Sequence, residues 1–450
     1  MLSVFGVVKN SGEKNSFGEN LVEDKRVTEN SSKANKAGRL PMFLDKAREP
    51  DLSKITVEDF LCFFNRKNFN QYFDREKILA FLRKKAQVFE TEILGKVSCP
   101  YCKSTEVIKV VDKNGFSDGY YRCRCRKKFK VKSFINTRFT YGTCALVLAD
   151  FAQGKRPREV FQLLVTENTN HYLDYGVKEK IPDEKTLYDI SEKCAKKFEK
   201  FNDLMMLLIG GIPCKTLFCD DAFAPKHRQK RRYAIKKKKR RRKRKRFYYA
   251  ILTMDADSRF IVCLFIASFR DKRAFLYAFA KTDERLKGHL EVIKGDKLKA
   301  MEKAAEVFFP KNVVRHIFKK LKKYEKGDLM IIERKIRSLR KTIRKRQRFG
   351  SLNVLRNLAV LALIELNYLD PMEKALGGKS PAQAVGIPYP FYPYNWRKFM
   401  IWVNWVFNNL SEILKSGLKQ LPGCPLKPCT EANGQLLKER LKLKKKKVHH

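Results

Sequence analysis

Apolar residues recur at helical spacing, every three or four positions, in residues 51–95, the first segment of the chain with a regular pattern. Its apolar stripe consists of Val57, Phe60, Leu61, Phe64, Phe69, Tyr72, Phe73, Ile78, Leu79 and Leu82. A stripe of this width between charged residues predicts a small helical unit that packs on the rest of the protein. A DNA-contacting helical unit is the alternative. Residues 1–50 are polar, lack such a period and are expected to form a disordered tail.

Residues 135–210 also show helical spacing. Pro157 stands near one predicted helix start, and Pro182 precedes another helix whose inward positions are apolar. Two short helices, a connecting segment and a third helix with outward-facing cations favour a helix-turn-helix. On that third helix, Lys185 and Lys193 are the predicted DNA contacts. Plain helical packing remains the other interpretation, because amphipathic helices are common.

From Lys215 the pattern changes to short apolar runs bounded by turn residues, which indicate the strands of a central sheet. Residues 211–370 are predicted to form, in order, three strands, a helix, a strand and two helices. This order favours an RNase H-like domain with a mixed sheet. Residues 371–450 are expected to form a C-terminal helical extension and a basic tail.

The charge balance indicates the kind of partner. The 450 residues include 98 Lys and Arg against 48 Asp and Glu, which gives a formal net charge of +50. Such an excess favours a polyanion such as DNA, because each phosphate contact releases counterions. Residues 236–246, in a predicted insertion over 226–246, are all basic. A self-repelling hairpin extension, a DNA backbone clamp and a nuclear-localisation-like signal are three interpretations of this run.

Targeting signals are not evident. No secretory signal opens the sequence, and no uninterrupted apolar run has the length of a bilayer-crossing helix. A cytoplasmic, nucleoid-associated protein with no membrane partner is therefore expected.

Four of the twelve cysteines form two closely spaced pairs. Cys99 and Cys102 stand in CPYC, and Cys123 and Cys125 follow in CRC, with strand-like pieces between the pairs. Two such pairs predict a zinc ribbon over residues 96–134. Four protein thiolates leave no open coordination position, so this Zn²⁺ would be structural. Four unrelated buried cysteines are the alternative.

Three acids stand where two-metal phosphoryl transfer needs carboxylates. Asp220 is predicted to end the first strand, Asp296 to end a neighbouring strand after Gly295, and Glu333 to lie on the last helix. Two Mg²⁺ ions, or Mn²⁺, prefer such all-oxygen ligands around one phosphate. Asp220, Asp296 and Glu333 are therefore the predicted catalytic and metal-binding residues.

Each of these acids has an alternative. The competing acids are Asp221, Asp255, Glu325 and Glu365. Asp296 could instead cap a helix, and Glu333 could belong to a salt-bridged surface helix. Glu333 is favoured because cations follow it at helical spacing on roughly its own face. These cations are Arg337, Arg340 and Arg344, and they are predicted to bind DNA together with Arg346.

Taken in chain order, the motifs resemble the zinc-ribbon-containing DDE transposases of prokaryotic insertion sequences, particularly the archaeal type. The motifs are CPYC, CRC with KKF, KTLYDISEK, FCDDAF, YYAILTMDADSRFIVC, GDKLKA, IERKIRSLRKTIRKRQRFGS and GGKSPAQAVGI. The resemblance spans roughly residues 99–387. It implies that Asp220, Asp296 and Glu333 form the catalytic triad. The chain departs from the family at the first strand, where Asp-Asp stands in place of the usual Asp-Glu.

The predicted fold class is a multidomain α+β and α/β protein with N-terminal helices, a zinc ribbon, a helix-turn-helix and an RNase H-like catalytic domain. The resemblance implies Mg²⁺-dependent cleavage and strand transfer of DNA. Double-stranded DNA, as terminal inverted repeats and target, and a second copy in a homodimer are the expected partners. A non-catalytic DNA-binding regulator and an RNase H-like nuclease are the alternative functions.

Overall fold

The computed structural model describes most of the chain between residues 55 and 419. The described ranges are 55–94, 99, 101–102, 104–110, 116–117, 120–130, 139–175, 178–225, 247–288, 290–296, 298–309, 313–318, 326–344, 351–390 and 395–419. The predictions for residues 1–50, the basic run 236–246, Glu325 and Arg346 lie outside the described residues. Asp296 and Arg344 are described by their backbone alone.

Helices and strands alternate along the described chain. The helices are α1 (Val57–Phe63), α2 (Arg66–Tyr72), α3 (Arg75–Gln87), α4 (Tyr141–Ala152), α5 (Pro157–Tyr175), α6 (Glu184–Leu208), α7 (Lys272–Asp283), α8 (Lys299–Phe308), α9 (Lys326–Arg344), α10 (Leu352–Ile364), α11 (Glu373–Leu376), α12 (Pro381–Ala384), α13 (Trp396–Asn408) and α14 (Leu410–Lys415). The strands are β1 (Val107–Lys109), β2 (Phe116–Ser117), β3 (Tyr120–Cys123), β4 (Lys128–Lys130), β5 (Lys178–Glu179), β6 (Ile212–Pro213), β7 (Thr216–Pro225), β8 (Phe247–Asp255), β9 (Ile261–Ala267), β10 (Leu286–Lys287), β11 (Val292–Asp296) and β12 (Val314–Phe318). Two π-helical turns, Phe89–Ile93 and Glu365–Leu369, follow α3 and α10.

A mixed five-stranded sheet, in the order β12-β11-β7-β8-β9, organises the described residues. Strands β7, β8 and β9 pair antiparallel, and β11 pairs in parallel with both β7 and β12. The predicted mixed central sheet is therefore confirmed.

One strand boundary differs from the prediction. Asp220 was expected to end β7, because the apolar run stops there, but β7 continues to Pro225 and pairs with β8 from Leu217 to Pro225. The parallel pairing with β11 stops at Cys219, so Asp220 begins the part of β7 that extends beyond its parallel neighbour. The apolar run marks only the buried part of β7, whereas backbone hydrogen bonding with β8 extends the strand beyond that part.

Helices cover both faces of the sheet, so its strands are largely buried. On one face, the Thr253 hydroxyl of β8 hydrogen-bonds the Thr282 hydroxyl of α7 at 2.7 Å. On the other face, Leu252 and Leu264 are buried. Helices α9 and α10 contact β7 and β9, respectively.

The π-helical turn Glu365–Leu369 ties the sheet edge to α9. The Asn367 side chain accepts the Ile261 N–H at 2.8 Å and donates to the Ile261 carbonyl at 3.1 Å, as a further strand would. The adjacent Leu366 carbonyl accepts a 3.1 Å hydrogen bond from Lys335 of α9. This turn therefore pairs with the backbone of Ile261 at the start of the edge strand and also holds Lys335 of α9.

The helical segments around the sheet share its core. Buried residues from 55–89, 139–208, 212–313 and 332–414 belong to one continuous hydrophobic cluster. Helix α6 shows why, because its C-terminal half is buried whereas its N-terminal half exposes Lys185 and Lys193. The third helix of the predicted helix-turn-helix thus runs on into the core of the sheet region.

Two arginines attach the N-terminal helices to this core. Arg75 Nε donates to the Leu207 carbonyl at 3.4 Å, where a cation suits the C-terminal end of α6. Arg66 donates to the Leu286 carbonyl. Gly211 has φ +99°, and a Cβ there would come within 2.7 Å of the Arg66 guanidinium carbon. Glycine at this position therefore permits the close approach.

Among the described helices, one apolar stretch, Leu352–Leu369, has the length and composition needed to cross a membrane. About 67% of it is buried inside the protein, where α10 packs against α6.

Candidate catalytic site and cysteine cluster

The backbone register brings two of the predicted acids to neighbouring positions. Gly295 of β11 pairs with Cys219 of β7 in parallel register. The next residues on the two strands are Asp296, the last residue of β11, and Asp220. Two positions far apart in sequence therefore lie side by side at the carboxyl end of the parallel pair, while the side chain of Asp296 is outside the described part of the structure.

Gly295 lets α8 pack directly behind this position. A Cβ on residue 295 would lie 2.5 Å from Met301 Cε and 2.9 Å from the Cys219 carbonyl oxygen, so any larger residue would force these neighbours to shift. Helix α8 has Leu298 at its N-cap and no side-chain cap. The alternative that Asp296 caps this helix is therefore wrong.

The structure separates Asp220 from Asp221. Successive residues of a strand point to opposite faces. Asp221 lies on the Thr253 face, is nearly buried and accepts two 2.7 Å hydrogen bonds from Arg270. Asp220 is partly exposed on the other face, beside Leu252, and its Oδ1 accepts the Asp221 N–H at 2.6 Å. Asp221 is thus held in an ion pair with Arg270. The residues around Arg270 in the sequence give no sign of this pairing.

Glu333 lies on α9, the helix that contacts β7. Its side chain is exposed, as is that of Arg337, and Arg340 is partly buried. The Arg340 Nε atom is buried with no hydrogen-bond partner among the described residues. No contact of Glu333 with Asp220 is seen among the described side chains, so the convergence of the three acids stays a prediction.

Lys335 fixes the orientation of α9. It is 4% exposed, and its ammonium donates to the Leu366 carbonyl at 3.1 Å and to Asp370 Oδ2 at 2.9 Å. Since Lys335 is two positions from Glu333, this anchor sets which side of the helix Glu333 occupies. Sequence reasoning missed it, although a lone lysine within the apolar stripe of α9 is a usable signal.

Asp255, a competing acid, has a local structural role. It pairs across the sheet with Leu217, near the N-terminal end of β7 and three positions before Asp220. Its buried Oδ2 accepts the Ser258 N–H at 2.8 Å and the Ser258 hydroxyl at 2.5 Å. Asp255 therefore stabilises the turn between β8 and β9, where Arg259 adopts φ 60°.

Glu365, the alternative to Glu333 as the third acid, lies in the π-helical turn after α10 and not on α9. It begins the π-helical turn after α10, and burial raises the pKa of its carboxyl to about 7. Its Oε2 atom is buried with no hydrogen-bond partner among the described residues.

The four paired cysteines converge. The sulfur atoms of Cys99, Cys102, Cys123 and Cys125 lie within 4.8 Å of one another. Cys99 Sγ is 3.7 Å from Cys125 Sγ, and Cys102 Sγ is 3.3 Å from Cys123 Sγ. A tetrahedral zinc with Zn–S bonds of about 2.3 Å needs sulfurs about 3.8 Å apart. The cluster therefore has the donor set and the size for Zn²⁺, and four unrelated cysteines are excluded.

The turn that carries the second cysteine pair is well defined. The Cys123 N–H donates to the Lys127 carbonyl at 3.1 Å, and the Arg126 N–H donates to the Cys123 carbonyl at 2.8 Å, with Arg126 at φ 63°. At the first pair, burial on its own would raise the pKa of the Cys99 thiol. Hydrogen bonds from the backbone N–H groups of Cys102 and Tyr101 outweigh that effect, and the pKa falls below its ordinary value of 9.0, to about 7. Donated N–H groups of this kind stabilise a thiolate for metal binding.

Comparison with known proteins gives structural neighbours only. Neither a family model nor a curated protein matches the sequence. Among solved structures, the HTLV-2 integrase catalytic core domain in complex with magnesium is 15% identical, with a TM-score of 0.25, over 39% of this chain and 97% of that one. A simian T-cell lymphotropic virus intasome is 12% identical, with a TM-score of 0.28, over 39% of this chain and 55% of that one. The Mos1 strand transfer complex is 10% identical, with a TM-score of 0.20, over 64% of this chain and 80% of that one.

Proposed function

We propose that this protein is a DDE-type transposase, of the zinc-ribbon insertion-sequence type, that cleaves DNA and joins it to a target. Asp220, Asp296 and Glu333 would hold two Mg²⁺ ions, or Mn²⁺. The observation that carries the proposal is the parallel register of β7 and β11, because it makes the Asp220 and Asp296 positions neighbours.

The strand order supports an RNase H-like core. Three antiparallel strands, β7, β8 and β9, occupy one side of the sheet, and β11 and β12 continue from β7 in parallel. Numbered within the sheet domain, this is the order 3-2-1-4-5 of RNase H-like folds. In open sheets, polar sites lie beyond the carboxyl ends of parallel strands, which is where Asp296 ends β11.

The surroundings of α9 support a phosphate-binding site. Arg337 is one helical turn beyond Glu333, and the buried Nε of Arg340 lacks a partner among the described residues. A DNA phosphate would neutralise these cations. When bound, the two metal ions would activate the attacking oxygen and stabilise the leaving oxygen. The residues of this chain would orient the phosphate and balance the metal charge.

The remaining proposals follow from the chain's charge and its cysteines. Structural Zn²⁺ would complete the ribbon, and double-stranded DNA, as element ends and target, would be the substrate. Two copies would be needed to bring two DNA ends together, hence a homodimer. Lys185 and Lys193, both exposed on α6, are proposed DNA contacts.

Neutral variants of the acids test the proposal. Asp296→Asn and Glu333→Gln should abolish Mg²⁺-dependent nicking and joining of the DNA that flanks the reading frame, while DNA binding persists. Asp257→Asn, an exposed acid in the β8–β9 turn, is the matched control and should retain activity. Full joining by Asp296→Asn would refute the triad. Wild-type binding without cleavage would identify a regulator instead, and cleavage without joining would identify a nuclease.

A further inference from the structure

The ribbon sheet has two unlike faces. Strands β1, β3 and β4 pair in that order, and cross-strand partners share a face. One face carries Val107, Tyr121, Cys123 and Phe129, which pack with Cys99 into a small core of their own. This face supports the cysteine cluster.

The opposite face is exposed and carries both apolar and cationic groups. A row runs across the three strands from Ile108 through Arg122 to Lys128, because these residues are cross-strand partners. Ile108 is 75% exposed, and Arg122 and Lys128 are exposed as well. Tyr120 lies two residues before Arg122 on the same face and is 38% exposed. We call these four residues the ribbon face.

Charge and order on the ribbon face favour a polyanion. Lys128 Nζ lies 4.9 Å from the centre of the Tyr120 ring, so its ammonium is held in place by the aromatic surface. The acid of the described ribbon, Glu106, lies just before β1 and forms an ion pair with Arg124 at 3.1 Å, so its charge is balanced by that cation. Because Glu106 is already paired with Arg124, the ribbon face offers the positive charges of Arg122 and Lys128 to a partner.

The dimensions of the row select one kind of groove. Neighbouring strands are about 4.8 Å apart, so the three residues of the row span about 10 Å. The major groove of B-DNA is about 12 Å wide, and the minor groove is about 6 Å wide. The row is therefore wider than the minor groove and narrower than the major groove, so its side chains can enter only the major groove with the face toward the bases. Lys128, on the outer strand β4, would lie beside a phosphate backbone, and the long Arg122 side chain of the central strand would extend toward the same backbone. The apolar Ile108 would contact base edges or thymine methyl groups.

We propose that the ribbon face binds duplex DNA in the major groove, with Arg122 and Lys128 on phosphates and Ile108 and Tyr120 against the groove floor. This proposal rests on DNA being the partner of the proposed transposase. The new proposal specifies which surface of the protein binds DNA, which groove it enters, and which residues contact phosphates and which contact bases.

Salt dependence of binding by the full chain separates the two kinds of contact. The probe is a labelled mixed-sequence duplex, measured by fluorescence anisotropy from about 50 to 200 mM salt. Arg122→Ala with Lys128→Ala should weaken binding at least tenfold and reduce the slope of log K against log salt by about 1.8, since each phosphate contact contributes about 0.9. Ile108→Ser should weaken binding with the slope unchanged, and Ile108→Val should restore it.

A charge-matched control tests whether the location matters. Arg83→Ala with Lys84→Ala removes the same charge from an exposed part of α3 and should leave the slope unchanged. An equal loss in this control would overturn the proposal in favour of diffuse attraction. Unchanged binding by the Arg122 and Lys128 double variant, or tighter binding of the single strand than of the duplex, would also overturn it.

Two further measurements keep the outcomes distinct. Zinc content of each variant, measured per chain, should equal that of the wild type, because the ribbon face does not contribute to the cysteine cluster. Cleavage by Glu333→Gln reports on the triad alone. If neither the wild type nor any variant cleaves DNA, but the ribbon-face variants still weaken DNA binding as described, the transposase proposal is rejected and the proposed DNA-binding surface stands.

Discussion

The Asp221 carboxylate is clamped by the Arg270 guanidinium through two hydrogen bonds of 2.7 Å, whereas the preceding Asp220 faces the other side of the sheet. This relationship divides two adjacent acids into a structural one and a candidate metal ligand. A two-pronged contact between planar groups is stronger than a single ion pair, and here the carboxylate is nearly buried.

The two acids should therefore respond differently to removal of charge. Asp221→Asn should lower the free energy of unfolding by about 1–3 kcal/mol, because the two hydrogen bonds from Arg270 lose their charged acceptor. Asp220→Asn should leave stability within about 0.5 kcal/mol and abolish DNA cleavage. Urea unfolding and Mg²⁺-dependent nicking, measured on both variants, check this. Cleavage that survives in Asp220→Asn but disappears in a fully folded Asp221→Asn would reverse the assignment.

Gly295→Ala should be destabilising, although glycine to alanine is often favourable within a strand. The new Cβ would come within 2.5 Å of Met301 Cε and 2.9 Å of the Cys219 carbonyl oxygen, so the Met301 side chain and the β7 backbone must both shift, at a cost of about 1–3 kcal/mol. The Gly295→Ala, Met301→Ala double variant should be less destabilised than the sum of the losses in unfolding free energy of the two single variants, because removing the Met301 side chain relieves part of the clash.

Gly142 of α4 provides the matched control for this clash. Its nearest neighbour to a new Cβ is the Thr140 hydroxyl at 3.6 Å, an ordinary contact. Gly142→Ala should be neutral or stabilising by up to about 1 kcal/mol. Thermal unfolding of the two alanine variants distinguishes a local clash from a general effect, and equal behaviour at both positions would contradict the packing argument.

Much of the site framework is already present in the sequence, because short-range chemistry determines it. The CPYC and CRC pairs specify a four-sulfur cluster, and the apolar run before Gly295 specifies a buried strand ending at Asp296. Helix α8 was predicted over residues 299–308 and occupies those residues.

Features that depend on distant residues could not be predicted in this way. The choice between Asp220 and Asp221 depends on Arg270, 49 residues further along the chain. Helix α6 was expected to belong to a separate DNA-binding unit, but its C-terminal half packs in the common core. Periodicity shows that a helix has an apolar face, and it does not show which element covers that face.

Glu365 should make stability depend on pH. Burial raises the pKa of its carboxyl to about 7, above the ordinary value of 4.5, so the folded state holds a proton that the unfolded state releases. The favourable contribution is complete below about pH 4.5 and is lost as the pH rises through about 7. Above that pH the charged carboxylate costs about 3 kcal/mol. Glu365→Gln should therefore equal the wild type near pH 4.5 and exceed it by roughly that amount at pH 8.

Urea unfolding at several pH values provides the measurement for Glu365. Glu306→Gln, at an exposed position of α8, is the control and should show a difference from wild type that is constant with pH. A constant difference for Glu365→Gln as well would show that its carboxyl is not protonated in the folded protein.

Loss of zinc should unfold the ribbon and leave the sheet region folded, because their hydrophobic clusters are separate. Cys102→Ser should reduce bound zinc from one ion per chain to none, since three thiolates and a hydroxyl bind far more weakly. DNA affinity should fall with it, while thermal unfolding of the main core remains cooperative. Cys62→Ser, which changes an exposed cysteine outside the cluster, should keep the metal and the affinity. Retention of a full zinc equivalent by Cys102→Ser would contradict the assignment of the four sulfurs as its ligands.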